Sequence, residues 1–257
     1  MKSYKITLLP GDGIGPEITT VTQKILDLVA KKFDFELKYK EMPFGGSAIE
    51  AEGNPLPDKT LEECKNSDAI LLAAIGDPKY DNLPREIRPE TGLLKLRSSL
   101  DLFANLRPVK IIPSLTKASS LKEEFVKKVD LIVVRELTSG IYFGEPKGRI
   151  KTEKGERAFN TMTYDSEEIK RIAEIAFKLA KQRNKKVCSV DKANVLDVSQ
   201  LWREETILLS NNFKDINLTH QYIDNAAMQL VRNPSQFDVI LTSNLFGDIL
   251  SDIAAMI

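Results

Sequence analysis

Histidine is almost missing from this chain. A single His220 in 257 residues argues against catalysis built on a histidine base or a histidine ligand set, and leaves acid–base work to Lys, Tyr, Asp or Glu. Cysteine is nearly as scarce. Cys64 and Cys188 are too few and too far apart for a disulfide framework or a zinc site; they fit a reducing compartment, so the expected location is the cytoplasm. The longest apolar run, residues 69–75, is too short to span a bilayer, and Met1-Lys2-Ser3-Tyr4 does not open a signal peptide. Net charge is zero, with 37 Lys+Arg against 37 Asp+Glu, so nothing global attracts nucleic acid or a membrane surface. Repeats, low-complexity tracts and basic–aromatic patches are absent from the sequence, as are a Walker lysine and a kinase signature, which sets phosphoryl transfer aside. What is there is ordinary globular material, 42% hydrophobic and 29% charged, enough for one large or two modest domains.

Residues 5–9 predict a short buried strand running into Pro10-Gly11-Asp12-Gly13-Ile14-Gly15-Pro16-Glu17. Pro16 suits a first helical turn, and Ile18, Val21, Ile25, Leu28 and Val29 recur at helical spacing up to Lys32. Strand, glycine loop and helix are the setting of a phosphate or dinucleotide loop. The glycines run G-x-G-x-G, however, not G-x-G-x-x-G, and a tight strand–helix connection accounts for them equally well. Residues 35–40 predict a second strand, Phe44-Gly45-Gly46-Ser47 a loop, and 58–66 a short helix behind the punctuation of Asn54-Pro55-Leu56-Pro57. The apolar segment 69–75, closed by Gly76, predicts a parallel strand covered on both faces. This β-α-β-α-β alternation gives an α/β fold with mostly parallel central sheets.

Further along, 85–92 reads as irregular, 93–100 as a helix, and 102–109 and 129–134 as strands. The charged segment 145–157 reads as an exposed loop or projecting hairpin, followed by a strand over 158–164. Asp165 with Glu168 forms a capping-box start to a helix reaching about residue 183. Strands at 186–190, 217–223 and 238–241 alternate with helices over 196–210, from Asp224, and from about Ser243 onward.

Several polar residues sit where these elements would make them useful. Asp248 and Asp252 are four apart, so on a helix both carboxylates project from one face and suit a divalent cation; as a plain pair of surface acids near a helix start they need none. Ser243 or Asn244 could cap that helix, and Gly247 allows close approach. Arg135 and Tyr142 follow an apolar strand at its carboxyl end, where open α/β sheets bind ligands, although a polar surface loop would look the same. Lys192, just past another strand, is placed for base chemistry or simply for solvent. Arg97 could do no more than pair with Asp101, and Asp224 no more than cap a helix.

Taken together, Leu8–Glu17 with its glycines, Arg88-Pro89-Glu90-Thr91-Gly92-Leu93-Leu94, Arg135-Glu136-Leu137-Thr138, Ile141-Tyr142-Phe143-Gly144, Asp191-Lys192-Ala193-Asn194-Val195 and the stretch from Asn244 to Asp252 resemble the β-decarboxylating dehydrogenases, the isocitrate/isopropylmalate family. The stretches occur in the family's order and span essentially the whole chain. The resemblance implies a two-domain fold, with residues 1–101 an incomplete cofactor-side domain and 102–257 the substrate, metal and dimerisation domain. It implies NAD-dependent oxidative decarboxylation of 3-isopropylmalate, the leucine-pathway step. Arg97, Arg107 and Arg135 would hold the substrate carboxylates, and Asp224, Asp248 and Asp252 would hold Mg²⁺ or Mn²⁺. Lys192 would take the hydroxyl proton and Tyr142 would protonate the enol. Glu90, Leu93 and Leu94 resemble the side-chain pocket, and Ile14, Glu90 and Asn194 the cofactor contacts. Two leucines where an isocitrate-binding relative needs a polar group favour an alkyl substrate.

The resemblance further implies a homodimer in which Lys192 and Asp224 serve the partner's site and the charged hairpin pairs between subunits. Members of the family continue beyond the point where this sequence ends, so the expectation is that these 257 residues alone leave apolar faces uncovered, bind NAD poorly and turn over little. Rivals are a relative acting on homoisocitrate, isocitrate or tartrate, and a catalytically silent remnant serving as a dimerisation or binding module.

Overall fold

The computed structural model describes residues 2–257, which divide into two compact units meeting in sequence at Asp101 and Leu102. The first unit runs β1 (Lys2–Gly11), α1 (Gly15–Phe33), β2 (Phe35–Glu41), α2 (Gly46–Glu52), α3 (Asp58–Lys65), β3 (Ala69–Ala74) and α4 (Pro89–Ser99). Its sheet has the order β2-β1-β3, all parallel, with Ile6 opposite Ala69 and Tyr39. Leu9, Phe44, Leu56, Cys64 and Leu96 form its core.

Three details differ from the sequence reading. Helix α2 stands where a loop was expected. Its first amide groups are held by a side chain from the β1–α1 loop: Asp12 Oδ2 accepts from Gly46 N (2.8 Å) and Oδ1 from Ser47 N (2.8 Å). Helix α4 begins at Pro89, earlier than the predicted 93, because proline at the first helical position loses no hydrogen bond. Strand β3 is half-exposed rather than covered on both faces, because it is an edge strand paired only with β1. Along α1, Ile18, Val21, Ile25 and Leu28 are likewise exposed, and only Gly15, Thr19 and Ala30 are buried.

The second unit runs β4 (Ala104–Lys110), α5 (Glu123–Val126), β5 (Asp130–Glu136), β6 (Gly148–Thr152), β7 (Gly155–Phe159), α6 (Ser166–Lys181), β8 (Lys186–Asp191), α7 (Asp197–Ser210), β9 (Asn217–Tyr222), α8 (Ile223–Arg232), β10 (Val239–Thr242) and α9 (Asn244–Ala255). The main sheet has the order β4-β5-β10-β8-β9, parallel except for β4. Alternation along each strand divides the core in two. Ile132, Val134, Val187, Val239 and Leu241 face α6 and α7, packing with Ile169, Ile172, Phe177 and Trp202. Leu131, Val133, Cys188, Val190 and Ile240 face α8 and α9, packing with Leu230, Leu250 and Ala254. Each fully buried Val, Leu, Ile or Phe among them contributes about 2 kcal/mol of transfer free energy.

The capping box of α6 forms as read: Asp165 Oδ1 accepts from Glu168 N (2.9 Å), and Glu168 Oε2 from Asp165 N (3.0 Å). The charged segment 145–157 forms most of the β6–β7 hairpin. The predicted strand 158–164 is strand only at Ala158 and Phe159. The chain beyond is held by turn contacts instead, Gly140 N donating to Thr163 O (3.1 Å) and Thr161 Oγ1 to Pro146 O (2.6 Å).

Candidate active site

Four parallel strands of the second unit, β5, β10, β8 and β9, end along one edge, and each delivers polar side chains there. This is the edge at which an open α/β sheet binds ligands. Strand β5 ends in Arg135 and Glu136, β10 leads into Asn244 on α9, β8 leads into Lys192, and β9 leads into Asp224 on α8. Neighbouring strands stand about 4.8 Å apart, so the β5 and β8 ends are separated by roughly 10 Å.

The densest cluster forms around Arg135, which is only 3% exposed. Its Nε and Nη2 donate to Asn244 Oδ1 (3.0 and 2.8 Å), and its Nη1 donates to Asp248 Oδ1. The Tyr142 hydroxyl donates to the other oxygen of the same carboxylate, Asp248 Oδ2 (2.8 Å). Arg135 reaches this far because its methylenes lie against Gly247: a Cβ there would come within 2.6 Å of Arg135 Cγ. Beside Arg135 on the strand, Glu136 is completely buried and accepts from Thr138 N, Thr138 Oγ1 and Ser139 N (each 3.0 Å). Burial raises its pKa, and these hydrogen bonds oppose the shift. Tyr164 links the two groups. It hydrogen-bonds Glu136, and its oxygen accepts from Asn244 N (2.8 Å); burial, first, and the Glu136 charge push its pKa up.

The second cluster lies at the ends of β8 and β9. Lys192 Nζ donates to Asp224 Oδ1 (2.5 Å), a contact that heads the causes lowering the Asp224 pKa. Asp191, 1% exposed, fixes the turn carrying Lys192: it accepts from Arg203 Nε (2.9 Å), Arg203 Nη2 (2.7 Å) and Ala193 N (3.0 Å). Arg203 stacks 5.1 Å from the centre of the Tyr222 ring. Asp224 lies inside the first turn of α8 and is not its N-cap, a position taken by Tyr222. Asn194 is exposed in the turn after β8, and Arg107 is exposed on β4, its Nε on Asn105 Oδ1 (2.9 Å). The lone His220 sits within β9 opposite Ser189; burial, then Arg203, lower its pKa.

Within the first unit, Glu90, Leu93, Leu94 and Arg97 fall at i, i+3, i+4 and i+7 of α4, on one helical face. Glu90 is exposed, whereas Leu93, Leu94 and Arg97 are half-buried, Leu93 against the core. Ile14 is 60% exposed at the start of α1.

The three aspartates meant for a metal are not gathered by a single chain. Asp248 is engaged by Arg135 and Tyr142, Asp252 is exposed one turn later on α9, and Asp224 is tied to Lys192. Among the described residues no group of three His, Cys, Asp or Glu side chains is placed to hold a metal. The donor set itself, carboxylate oxygens only, fits a hard divalent cation such as Mg²⁺ or Mn²⁺.

Three residues of the Arg135 neighbourhood had no functional reading in the sequence. Asn244 was visible as a possible cap and as the start of a motif, and Tyr164 and Glu136 as parts of a strand and of a motif. Ser243, in the cap position of α9, makes no side-chain cap hydrogen bond. Asp12 was legible only as part of a glycine turn; it clamps Gly46, Ser47 and, through Oδ2, Gly76 N (2.9 Å). With that carboxylate on its first amides, α2 offers no free anion site there.

The family model described as isocitrate/isopropylmalate dehydrogenase matches residues 5–257. A 3-isopropylmalate dehydrogenase of Prochlorococcus marinus (strain NATL2A) is 87% identical over 257 residues, which is all of this chain and 72% of that protein. A 3-isopropylmalate dehydrogenase of Synechococcus sp. (strain CC9902) is 63% identical over the same share. Among solved structures, isocitrate dehydrogenase from Methylococcus capsulatus superposes with a TM-score of 0.84 at 33% identity, over 98% of this chain and 70% of that one. A β-decarboxylating dehydrogenase from Thermococcus kodakarensis gives 0.74 at 30% identity, over 98% and 68%.

Proposed function

This chain belongs to the isocitrate/isopropylmalate dehydrogenase family, and from that premise we propose that it oxidatively decarboxylates 3-isopropylmalate to 2-oxo-4-methylpentanoate, using NAD and Mg²⁺ or Mn²⁺. The observation that carries the reading is the buried Arg135 at the carboxyl edge of the sheet, its guanidinium on Asp248 and the Tyr142 hydroxyl on that same carboxylate. A fixed guanidinium binds a carboxylate through two parallel N–H donors. The substrate is taken from the names of the relatives and from Leu93 and Leu94, whose apolar side chains suit an isopropyl group and would leave a third carboxylate without a partner.

In this reading Arg97, Arg107 and Arg135 bind the two substrate carboxylates, and Glu90, Leu93 and Leu94 line the alkyl pocket. Ile14, Glu90 and Asn194 contact the cofactor, and Asp224, Asp248 and Asp252 hold the metal. Bound there, NAD would supply a hydride acceptor, and a divalent cation on those carboxylates would supply positive charge to stabilise the substrate oxygen. An ammonium has no lone pair to offer, so Lys192 acts as base only after giving up one of its three protons; the neutral amine keeps two N–H groups, one of which can go on donating to Asp224. Tyr142 returns a proton to carbon once carbon dioxide has left, and its link to Asp248 keeps the hydroxyl at the reacting edge.

The separation of the two clusters within one chain supports a homodimer whose copies complete each other's sites. So do the exposed apolar side chains on α8 and α9: Met228 (61%), Val231 (51%), Ile249 (46%) and, just after α9, Met256 (68%). Among the described residues no helix is long and apolar enough to cross a membrane, and the proposed location is the cytoplasm.

A substrate panel with NAD and either metal tests the reading. 3-Isopropylmalate should yield NADH and carbon dioxide in equal amounts, however slowly, with isocitrate, homoisocitrate and tartrate at least about tenfold poorer, because their polar groups find no partner beside the two leucines. NADH without carbon dioxide, or a preference for isocitrate, contradicts it.

A further inference from the structure

We propose that Asn244 is a positioning residue that fixes Arg135 without discharging it: a neutral amide holds the guanidinium in place and leaves its positive charge for a dicarboxylate ligand. The inference rests on the reading of Arg135 as a carboxylate binder.

A cation buried to this degree ordinarily requires carboxylate partners. Arg135 spends two of its three hydrogen bonds on an uncharged oxygen, Asn244 Oδ1 (3.0 and 2.8 Å from Nε and Nη2). The nearest fully buried carboxylate, Glu136, is the next residue on the strand and so projects to the opposite face, where Thr138, Ser139 and Tyr164 satisfy it. The one carboxylate that Arg135 meets, on Asp248, is 40% exposed and shared with Tyr142. A guanidinium has five N–H donors. Among the described residues three are used, which leaves one on each terminal nitrogen for an incoming anion.

Asn244 is itself over-determined. It is 1% exposed, its backbone N–H donates to Tyr164 Oη (2.8 Å), and its Nδ2 donates to Ser139 O (3.0 Å). The reverse amide orientation would set NH₂ against guanidinium donors and oxygen against a carbonyl, so only one orientation satisfies every partner. A side chain locked in this way holds the group it contacts in binding geometry before the ligand arrives. A carboxylate at the same position could accept the same two N–H groups from Arg135. It would also add a negative charge beside Asp248, four residues away, and repel a dianion.

Asn244→Asp and Asn244→Ala therefore separate holding from charge. The readouts are the exchange-protected Arg135 Nε–H resonance in the NMR spectrum, assigned by its loss in Arg135→Lys, and calorimetric affinity for malonate as a plain dicarboxylate probe, with thermal unfolding as the folding control. In the wild-type chain the resonance should be present and malonate should bind. Asn244→Asp should keep the resonance and lose at least tenfold in malonate affinity; in steady-state assays the same variant should raise KM with a smaller change in kcat. Asn244→Ala adds no charge and no buried acceptor, and it should lose the resonance; it decides the matter if the Asp variant does not fold. Retention of the resonance in Asn244→Ala, unchanged malonate affinity in a folded Asn244→Asp, or no malonate binding by the wild type overturns the inference. Malonate binding without any 3-isopropylmalate binding would sink the substrate assignment while leaving this inference standing.

Discussion

Gly247 makes the sharpest claim of any single residue. Its backbone is ordinary helix, so alanine there would gain up to about 1 kcal/mol in helix propensity. The gain is outweighed, because the new Cβ would sit 2.6 Å from Arg135 Cγ and 2.7 Å from its Cβ, and Arg135 is too well buried to step aside. Gly247→Ala is expected to cost about 1–3 kcal/mol net, the usual range for overpacking, and to weaken 3-isopropylmalate binding by tenfold or more; thermal unfolding and calorimetry read the two effects separately. At this scale the sequence was uneven. Arg135, Tyr142, Lys192 and the aspartates could be picked out because strand ends and motif order marked them. Asn244, Tyr164 and Asp12 could not, because their partners lie far away in the chain: Asn244 meets Arg135 across 109 positions, and Asp12 meets Gly76 across 64. No local pattern encodes such a pairing.

Elements were more legible than residues wherever one periodicity governed them. Helix α6 shows two signals at once: a capping box, and apolar residues at helical spacing, of which Ile169, Ile172 and Ala176 are buried and Ile175 and Leu179 half-buried. Replacing Asp165 with Ala should cost about 1 kcal/mol, the worth of a lost N-cap, and lower Tm by about 2–4 °C in a chain of this size. The elements misread were those settled by their surroundings. Helix α2 depends on Asp12 from another loop, β3 is thinly covered because of its edge position, and 160–164 is held by turn contacts. Beyond the end of α6, Arg183 ties the starts of β5 and β10 together. Its Nε donates to Asp238 Oδ1 (2.8 Å) and its Nη2 to Asp130 Oδ1 (2.6 Å) and Asp130 O (2.8 Å). The hydrogen bond from Arg183 is the first cause lowering the Asp130 pKa below 3.8. A carboxylate with a lowered folded-state pKa adds stability that is present above its unfolded value and lost as pH falls through the folded one. Unfolding scans from pH 5 down to pH 2 should therefore show a fall in Tm below about pH 4 that is shallower in Arg183→Gln. Equal slopes in the two proteins would show that the Arg183 contact does not govern Asp130. At neutral pH the same variant should lose about 2 kcal/mol, since a largely buried hydrogen bond to charge is removed.

For the molecule as a whole, the parallel sheet of the second unit gathers functional groups from four strand ends, yet one chain leaves them in two clusters. The homodimer reading makes a definite statement about the apolar side chains of α8 and α9. Sedimentation velocity should find the wild type associated, and Val231→Asp, which places a charge among Met228, Ile249 and Met256 if these meet a second copy, should shift it to monomer. A wild type that is monomeric at micromolar concentration would leave those side chains, and the split site, without their proposed explanation. Fold class was open to sequence reasoning because strand–helix alternation is a property of the whole chain, whereas the division of the site is a property of three-dimensional placement alone.

Arg135 is proposed as the fixed carboxylate receptor of a hydroxy-diacid site. Its most direct test is calorimetric titration of 3-isopropylmalate, with Mg²⁺ present, into the wild-type chain and into Arg135→Ala, both first shown to be folded. Saturable binding by the wild type and at least about thirtyfold weaker binding by the variant, roughly 2 kcal/mol and the lower end for losing a buried charge-assisted contact, is the expected result. Equal affinities in the two proteins would contradict it.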